Sequence, residues 1–182
     1  MKLWLVRHAQ PLVLQGVCYG ATDVDAHAQA TWEAAQTLSQ VLPQGVPVMA
    51  SPLQRCTQLA SVLHELRPDL PFTPDPRLVE LDFGLWEGQR WDEIPQNAWD
   101  DWMADFGAHR FGGKESVNEL LGRVVQAWDA WRQQQADAVW ITHAGVIRAA
   151  SLLVQHKRSV QQSSDWPSRA LPFGECLVLD GG

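Results

Sequence analysis

Two imidazoles and two guanidinium groups follow closely on apolar runs in this chain, a placement that suits them to hold and attack a phosphoryl group. The run Lys2 to Val6 ends in Arg7-His8, the run Val46 to Ala50 leads through Ser51 to Arg55, and the run Ala138 to Thr142 ends in His143 before Ala144-Gly145. Arginine presents a planar fork that pairs bidentately with phosphate oxygens, and histidine can form a covalent intermediate as a nucleophile. Arg55 falls in the first turn of an expected helix, where the positive end of the helix dipole disfavours a cation. An anion beside it removes that conflict. His143 lies where another helix begins, and the free N–H groups of such an end bind phosphate. Taken singly, an arginine in a first turn is ordinarily solvated or ion-paired, and a histidine after a strand is ordinarily a satisfied boundary residue. The convergence of three strand ends outweighs those separate explanations, because ligands of an open parallel sheet bind at the carboxyl ends of its strands.

Cleaving a phosphate ester also needs a proton donor for the departing oxygen. The candidates lie between Leu78 and Gly88. Glu80, with Val79 and Leu81 on either side, is placed for partial burial that favours its protonated form; a structural ion pair is the competing explanation. Cys18, Cys56 and Cys176 are far apart, and no Cys/His cluster has zinc-like spacing. The site therefore reads as a phosphate cradle for which no metal and no cofactor is expected.

The elements that must position these groups are visible as patterns. Lys2 to Val6, Val46 to Ala50 and Ala138 to Thr142 are short and apolar on both faces, as central strands of a parallel sheet are. Val117, Leu120, Leu121, Val124, Val125, Trp128 and Trp131 mark one buried helix face, and Ser116 with Glu119 forms a capping box at its start. A second helix is expected after Ser51, with Ser51 as cap, Pro52 at the first helical position and Gln54 completing a box; its stripe is Leu59, Val62, Leu63 and Leu66. Further helices are expected from about His27 to Leu42 and from about Val146 to Val154, and an edge strand over Cys176 to Leu179. Strands alternating with helices predict an α/β fold, a three-layer α/β/α sandwich around a mostly parallel sheet.

The 182 residues fit one domain, 1–182, large enough to bury roughly 70% of its unfolded surface without disulfides or metal. A formal net charge of -7 argues against nucleic acid or an anionic membrane surface as partner. The apolar run at the N-terminus is cut by Arg7-His8 before it reaches the ~7 to 15 residues of a signal peptide core, and nothing approaches the ~20 apolar residues of a membrane span. A cytoplasmic location is expected; oligomeric state is not legible.

The quoted residues carry a family resemblance. Leu5-Val6-Arg7-His8, Ser51-Pro52-Leu53-Gln54-Arg55, Glu80-Leu81-Asp82-Phe83-Gly84 with Trp86-Glu87-Gly88, and Thr142-His143-Ala144-Gly145-Val146-Ile147-Arg148 together resemble the histidine phosphatase superfamily on its phosphoglycerate-mutase-like branch. Four motifs in this order are specific where a bare Arg-His pair is not. Cys18-Tyr19-Gly20-Ala21-Thr22-Asp23, and Glu115-Ser116 after Gly112-Gly113, resemble more narrowly the α-ribazole phosphatases, which act on α-ribazole 5'-phosphate in cobalamin biosynthesis. The resemblance implies a small-molecule phosphate monoester as substrate and a phosphohistidine on His8. It further implies that Arg7, Arg55 and His143 hold the phosphoryl oxygens, that Glu80 handles the proton, and that Ala144, Gln10, Tyr19 and Gly20 lie against the substrate.

Three positions depart from the family pattern: Ala9 in place of a common glycine, Pro11 in place of a small hydroxyl residue, and Lys114 inserted before Glu115, which puts a substrate contact by Glu115 in doubt. The same residues would serve a phosphoglycerate mutase, a broad sugar or nucleotide phosphatase, or a noncatalytic phospho-ligand module. Trp86, Trp91, Trp99 and Trp102, four of ten tryptophans, read either as core packing or as a lid that stacks on an aromatic substrate.

Overall fold

A computed structural model describes residues 1–181. Its strands are β1 (Lys2–Arg7), β2 (Val48–Ala50), β3 (Phe72–Pro74), β4 (Ala138–Thr142) and β5 (Cys176–Asp180), in the order β3-β2-β4-β1-β5. β1, β2, β3 and β4 run parallel, and β5 pairs antiparallel with β1 at one edge. The principal helices are α1 (Ala28–Val41), α2 (Gln54–Leu66), α3 (Gln96–Ala104), α4 (Val117–Gln134) and α5 (Ala144–Val154).

Alternation along each strand divides the apolar residues between two faces. Leu3, Leu5, Ala138 and Trp140 join the core beneath α4 and α5, while Val6, Val48, Ala50, Val139 and Ile141 join the core beneath α1 and α2. The result is the expected sandwich, with helices on both sides of a mostly parallel sheet. On α4 the buried face is Val117, Leu120, Leu121, Val124, Ala127, Trp128 and Trp131. The capping box forms: Glu119 donates its N–H to Ser116 Oγ at 3.2 Å, and Ser116 donates its own to Glu119 Oε2 at 2.8 Å.

Several local expectations are corrected. Ser51 does not cap α2, Pro52 lies outside it and Gln54 completes no box: the helix begins at Gln54 with Leu53 as N-cap. Its first N–H, from Gln54, is accepted at 2.6 Å by Asp23 Oδ1, a residue distant in sequence that no local pattern reveals. The strand expected from Val46 starts after Pro47, which has no N–H for a ladder. α5 begins two residues before the expected start and has His143 itself as N-cap. Strand β3, three residues ending in proline, and helix α3 are additions.

The tryptophan segment is packed through its rings. Trp102 stacks on Phe111 at 4.3 Å and on Phe106 at 5.3 Å between ring centroids, and Trp99 lies 5.0 Å from Phe111. Trp91 meets Phe83 edge-on at 5.2 Å and also lines a surface groove. No helix among the described residues is long and apolar enough to cross a membrane.

Candidate active site

The register of the parallel strands brings the chemistry together. Arg7 stands opposite Thr142, and Ala50 opposite Ile141. His8 donates its N–H to the Thr142 carbonyl at 3.0 Å, and Ser51 donates its own to the Ile141 carbonyl at 2.9 Å. His8, Ser51 and His143 therefore leave the sheet side by side, and the two imidazoles lie 5.1 Å apart between centroids.

His8 is 2% exposed. Its Nδ1 is 2.7 Å from the Ala9 carbonyl oxygen. A carbonyl only accepts, so Nδ1 carries the hydrogen and Nε2 the free lone pair. Burial, followed by the charge of Arg55, lowers the His8 pKa from its ordinary 6.5 to about 3; the Ala9 carbonyl opposes the shift and Arg7 adds to it. The ring is neutral at physiological pH. His143 is fully buried, and burial first, then Arg55, His8, Arg123 and Arg7, holds it well below the ordinary value too.

Arg55 is fully buried, and its guanidinium donates to the carbonyls of Thr22 at 2.8 Å and Gly20 at 2.7 Å. Arg7 donates to the Leu171 carbonyl at 2.6 Å and lies over the Phe173 ring at 3.8 Å. Neither pairs with a carboxylate among the described residues, and the Nε atoms of both are buried without a partner. A buried guanidinium without a counter-charge is strongly unfavourable, and an anion in the cleft is the simplest remedy.

Glu80 is half-buried, as its apolar sequence neighbours suggest. Its Oε2 accepts the N–H of Gly145 at 3.0 Å, and Oε1 accepts the N–H of Leu81 at 3.0 Å. The first of these sits at the opening of α5, where N–H groups have no partner within the helix. A Cβ at Gly145 would fall 2.2 Å from Glu80 Oε1, so the close approach requires glycine. Ala144, the first residue of α5, lies beside this end. Arg123 holds the Glu80 segment by donating to the carbonyls of Arg77, Val79 and Glu80 while pairing with Glu115. Glu115 also accepts the Asp82 N–H at 3.1 Å, so its carboxylate is committed to the scaffold.

The loop carrying Tyr19 and Gly20 closes over Arg55. A Cβ at Gly20 would meet the Leu81 carbonyl oxygen at 2.2 Å. Glu87 ties this loop to the Glu80 segment by accepting from the N–H groups of Ala21, Thr22 and Phe83 and from the Thr22 hydroxyl. Gln10 is exposed at the rim, and its carbonyl accepts the His27 N–H at 2.9 Å. Gln10, Val13, Leu14, Tyr19, Trp91 and Phe173 line an open groove of about 480 Å³. Phe173, 5.4 Å from the His8 ring, escaped the sequence reading, although Pro172 and Gly174 flank it as turn residues. Arg123 and Glu87 escaped it as well, since neither long-range clamp has a local signature. Among the described residues no group of three or more His, Cys, Asp or Glu side chains is arranged to hold a metal ion.

Comparison with known proteins agrees with this fold. A Thermus thermophilus protein, TTHB049, superposes with a TM-score of 0.75 at 28% identity over 99% of this chain and 94% of its own. A mycobacterial glucosyl-3-phosphoglycerate phosphatase shares the fold, with a TM-score of 0.70 at 23% identity over 86% of this chain and 80% of its own. A Schizosaccharomyces pombe protein named a probable phosphatase is 22% identical over 98% of this chain and 85% of its own length. Residues 3–167 match the model of the histidine phosphatase superfamily (branch 1), and the chain belongs to that family.

Proposed function

We propose that this protein is a phosphomonoesterase that works through a phosphohistidine on His8. The observation that carries the reading is a neutral buried imidazole, its Nε2 lone pair free, beside two guanidinium groups with no carboxylate partner. His8 Nε2 attacks phosphorus in line and the ester P–O bond breaks, while Glu80 gives a proton to the departing oxygen. Water then attacks the phosphohistidine and passes its proton to Glu80; the N–P bond breaks and phosphate leaves. Arg7, Arg55, His143 and the Ala144 N–H stabilise the equatorial oxygens, where a preorganised donor is worth on the order of 3 kcal/mol.

For the substrate we propose α-ribazole 5'-phosphate, a small-molecule monoester whose aromatic base suits the groove lined by Tyr19, Trp91 and Phe173. Gln10 and Tyr19 contact it at the rim, and Gly20 acts through Arg55. The resemblance of Cys18 to Asp23 supports the same choice, and the name of the Schizosaccharomyces pombe relative supports phosphatase chemistry. The test is kcat/KM across α-ribazole 5'-phosphate, 3-phosphoglycerate, and simple sugar and nucleotide phosphates, with EDTA present. The expected result is the highest value for α-ribazole 5'-phosphate, undiminished by EDTA. Preference for a sugar phosphate removes the substrate assignment, and turnover lost in EDTA and restored by a divalent ion removes the metal-free mechanism.

Gly145→Ala tests Glu80 without changing it. The added Cβ displaces the carboxylate, which is the movable end of its side chain, so the fold is expected to survive. A misplacement of about 1 Å costs on the order of 10²-fold. Thermal melts should be near wild type while kcat/KM for an alkyl phosphate falls by that factor; unchanged kinetics would exclude a proton-transfer role that depends on this position.

A further inference from the structure

The hydroxyl of Ser51 faces the site and has no role in the reaction steps above. Ser51 is fully buried, and its Oγ lies 2.8 Å from His143 Nε2 and 3.4 Å from the Leu53 backbone nitrogen. The Leu53 N–H can only donate, so Oγ accepts there. Among the described residues no other nitrogen or oxygen lies within hydrogen-bond distance of Oγ, so the hydroxyl's own hydrogen has His143 Nε2 as its acceptor. Cys56, also fully buried, places Sγ 3.5 Å from the same nitrogen. Burial pushes the Cys56 thiol up, so it keeps its hydrogen. A neutral imidazole whose Nε2 lone pair takes the Ser51 hydrogen carries its own proton on Nδ1.

We propose that Ser51 is a positioning residue that fixes the His143 tautomer, holding Nε2 as acceptor so that Nδ1–H is the donor offered to the phosphoryl oxygens. This rests on the phosphatase reading of the site. The two imidazoles are then set to opposite roles by their own neighbours. His8 has Nδ1–H tied to the Ala9 carbonyl and Nε2 bare for attack. His143 has Nε2 tied to Ser51, and its Nδ1 has no oxygen acceptor among the described residues, the nearest partner being Cys56 Sγ at 4.0 Å. The reverse tautomer on His143 would strand the Ser51 hydrogen in a buried setting and turn a lone pair toward an anionic ligand.

Long-range proton–nitrogen NMR of the full-length protein labelled with 15N-histidine at neutral pH tests this, with His143 assigned by its loss in His143→Gln. The wild-type protein should show His143 protonated on Nδ1, and inorganic phosphate should shift that proton while leaving Nε2 little changed. Ser51→Ala should give a mixture of tautomers and lower kcat/KM by on the order of 10²-fold; Ser51→Thr, which keeps the hydroxyl, should restore the single tautomer. A wild-type proton on Nε2 overturns the proposal whatever the variants do. So does Ser51→Ala with both tautomer and kcat/KM unchanged. A wild-type protein protonated on Nδ1 that turns over no phosphate ester would remove the phosphatase reading and leave the tautomer assignment standing.

Discussion

Replacing His8 by alanine is expected to reduce phosphate release by on the order of 10⁴-fold or more, because the variant has no atom on which to carry the phosphoryl group. Wild-type protein quenched during turnover of a 32P-labelled ester should hold acid-labile label on His8, and the variant none. Label on another residue, or turnover surviving in the variant, would overturn the nucleophile assignment. Folding can be checked through pH. His8 titrates near 6.5 when unfolded and at about 3 when folded, so between those values the unfolded chain binds the extra proton. The stability His8 contributes is complete above pH 6.5 and is lost as pH falls toward 3. His143, shifted in the same direction, keeps its own contribution in the variant. A folded His8→Ala protein should therefore lose stability less steeply than wild type as pH falls from about 6.5, measured by denaturant unfolding at several pH values. An equal slope would mean that the His8 ring is not buried in its neutral form.

Glu80→Gln is expected to show a defect that grows with the basicity of the leaving group. Alkyl phosphates, including α-ribazole 5'-phosphate, leave as strongly basic alkoxides and should lose roughly 10²- to 10⁴-fold in single-turnover rate. The phosphoryl-transfer step of p-nitrophenyl phosphate should fall far less, since its phenolate needs no proton. The later hydrolysis of phosphohistidine, for which Glu80 is the proposed base, should then limit turnover and give a burst of p-nitrophenol. The structure adds a uniform component. Both Glu80 oxygens accept a backbone N–H, and an amide has one oxygen, so the variant loses one of these bonds, worth about 1 kcal/mol. That loss falls on both substrates alike, and the ratio between them isolates proton transfer. Asp82→Asn and Glu87→Gln should show no such ratio, because Asp82 accepts the Gly84 N–H at 2.8 Å and Glu87 is spent on loop donors. Equal losses for alkyl and aryl esters in Glu80→Gln would make Glu80 structural.

The sequence by itself determined the layered α/β fold and which charged and titratable groups gather at one end of its sheet. Both follow from local rules. Alternating apolar strands and helical stripes must bury their faces, and a parallel sheet then puts Arg7, His8, Arg55 and His143 at one end. The α4 capping box was legible because its donors and acceptors lie within three residues. The start of α2 was not, because Asp23 caps it across the fold and releases Ser51 to face His143. For the same reason the clamps of Arg123 and Glu87, the glycine required at 145 by a carboxylate from position 80, and the place of Phe173 beside His8 had no local signature. Only the tertiary structure decided which nitrogen of His8 is bare. A tautomer depends on which acceptor folding brings within hydrogen-bond distance, and residue type alone does not specify that distance.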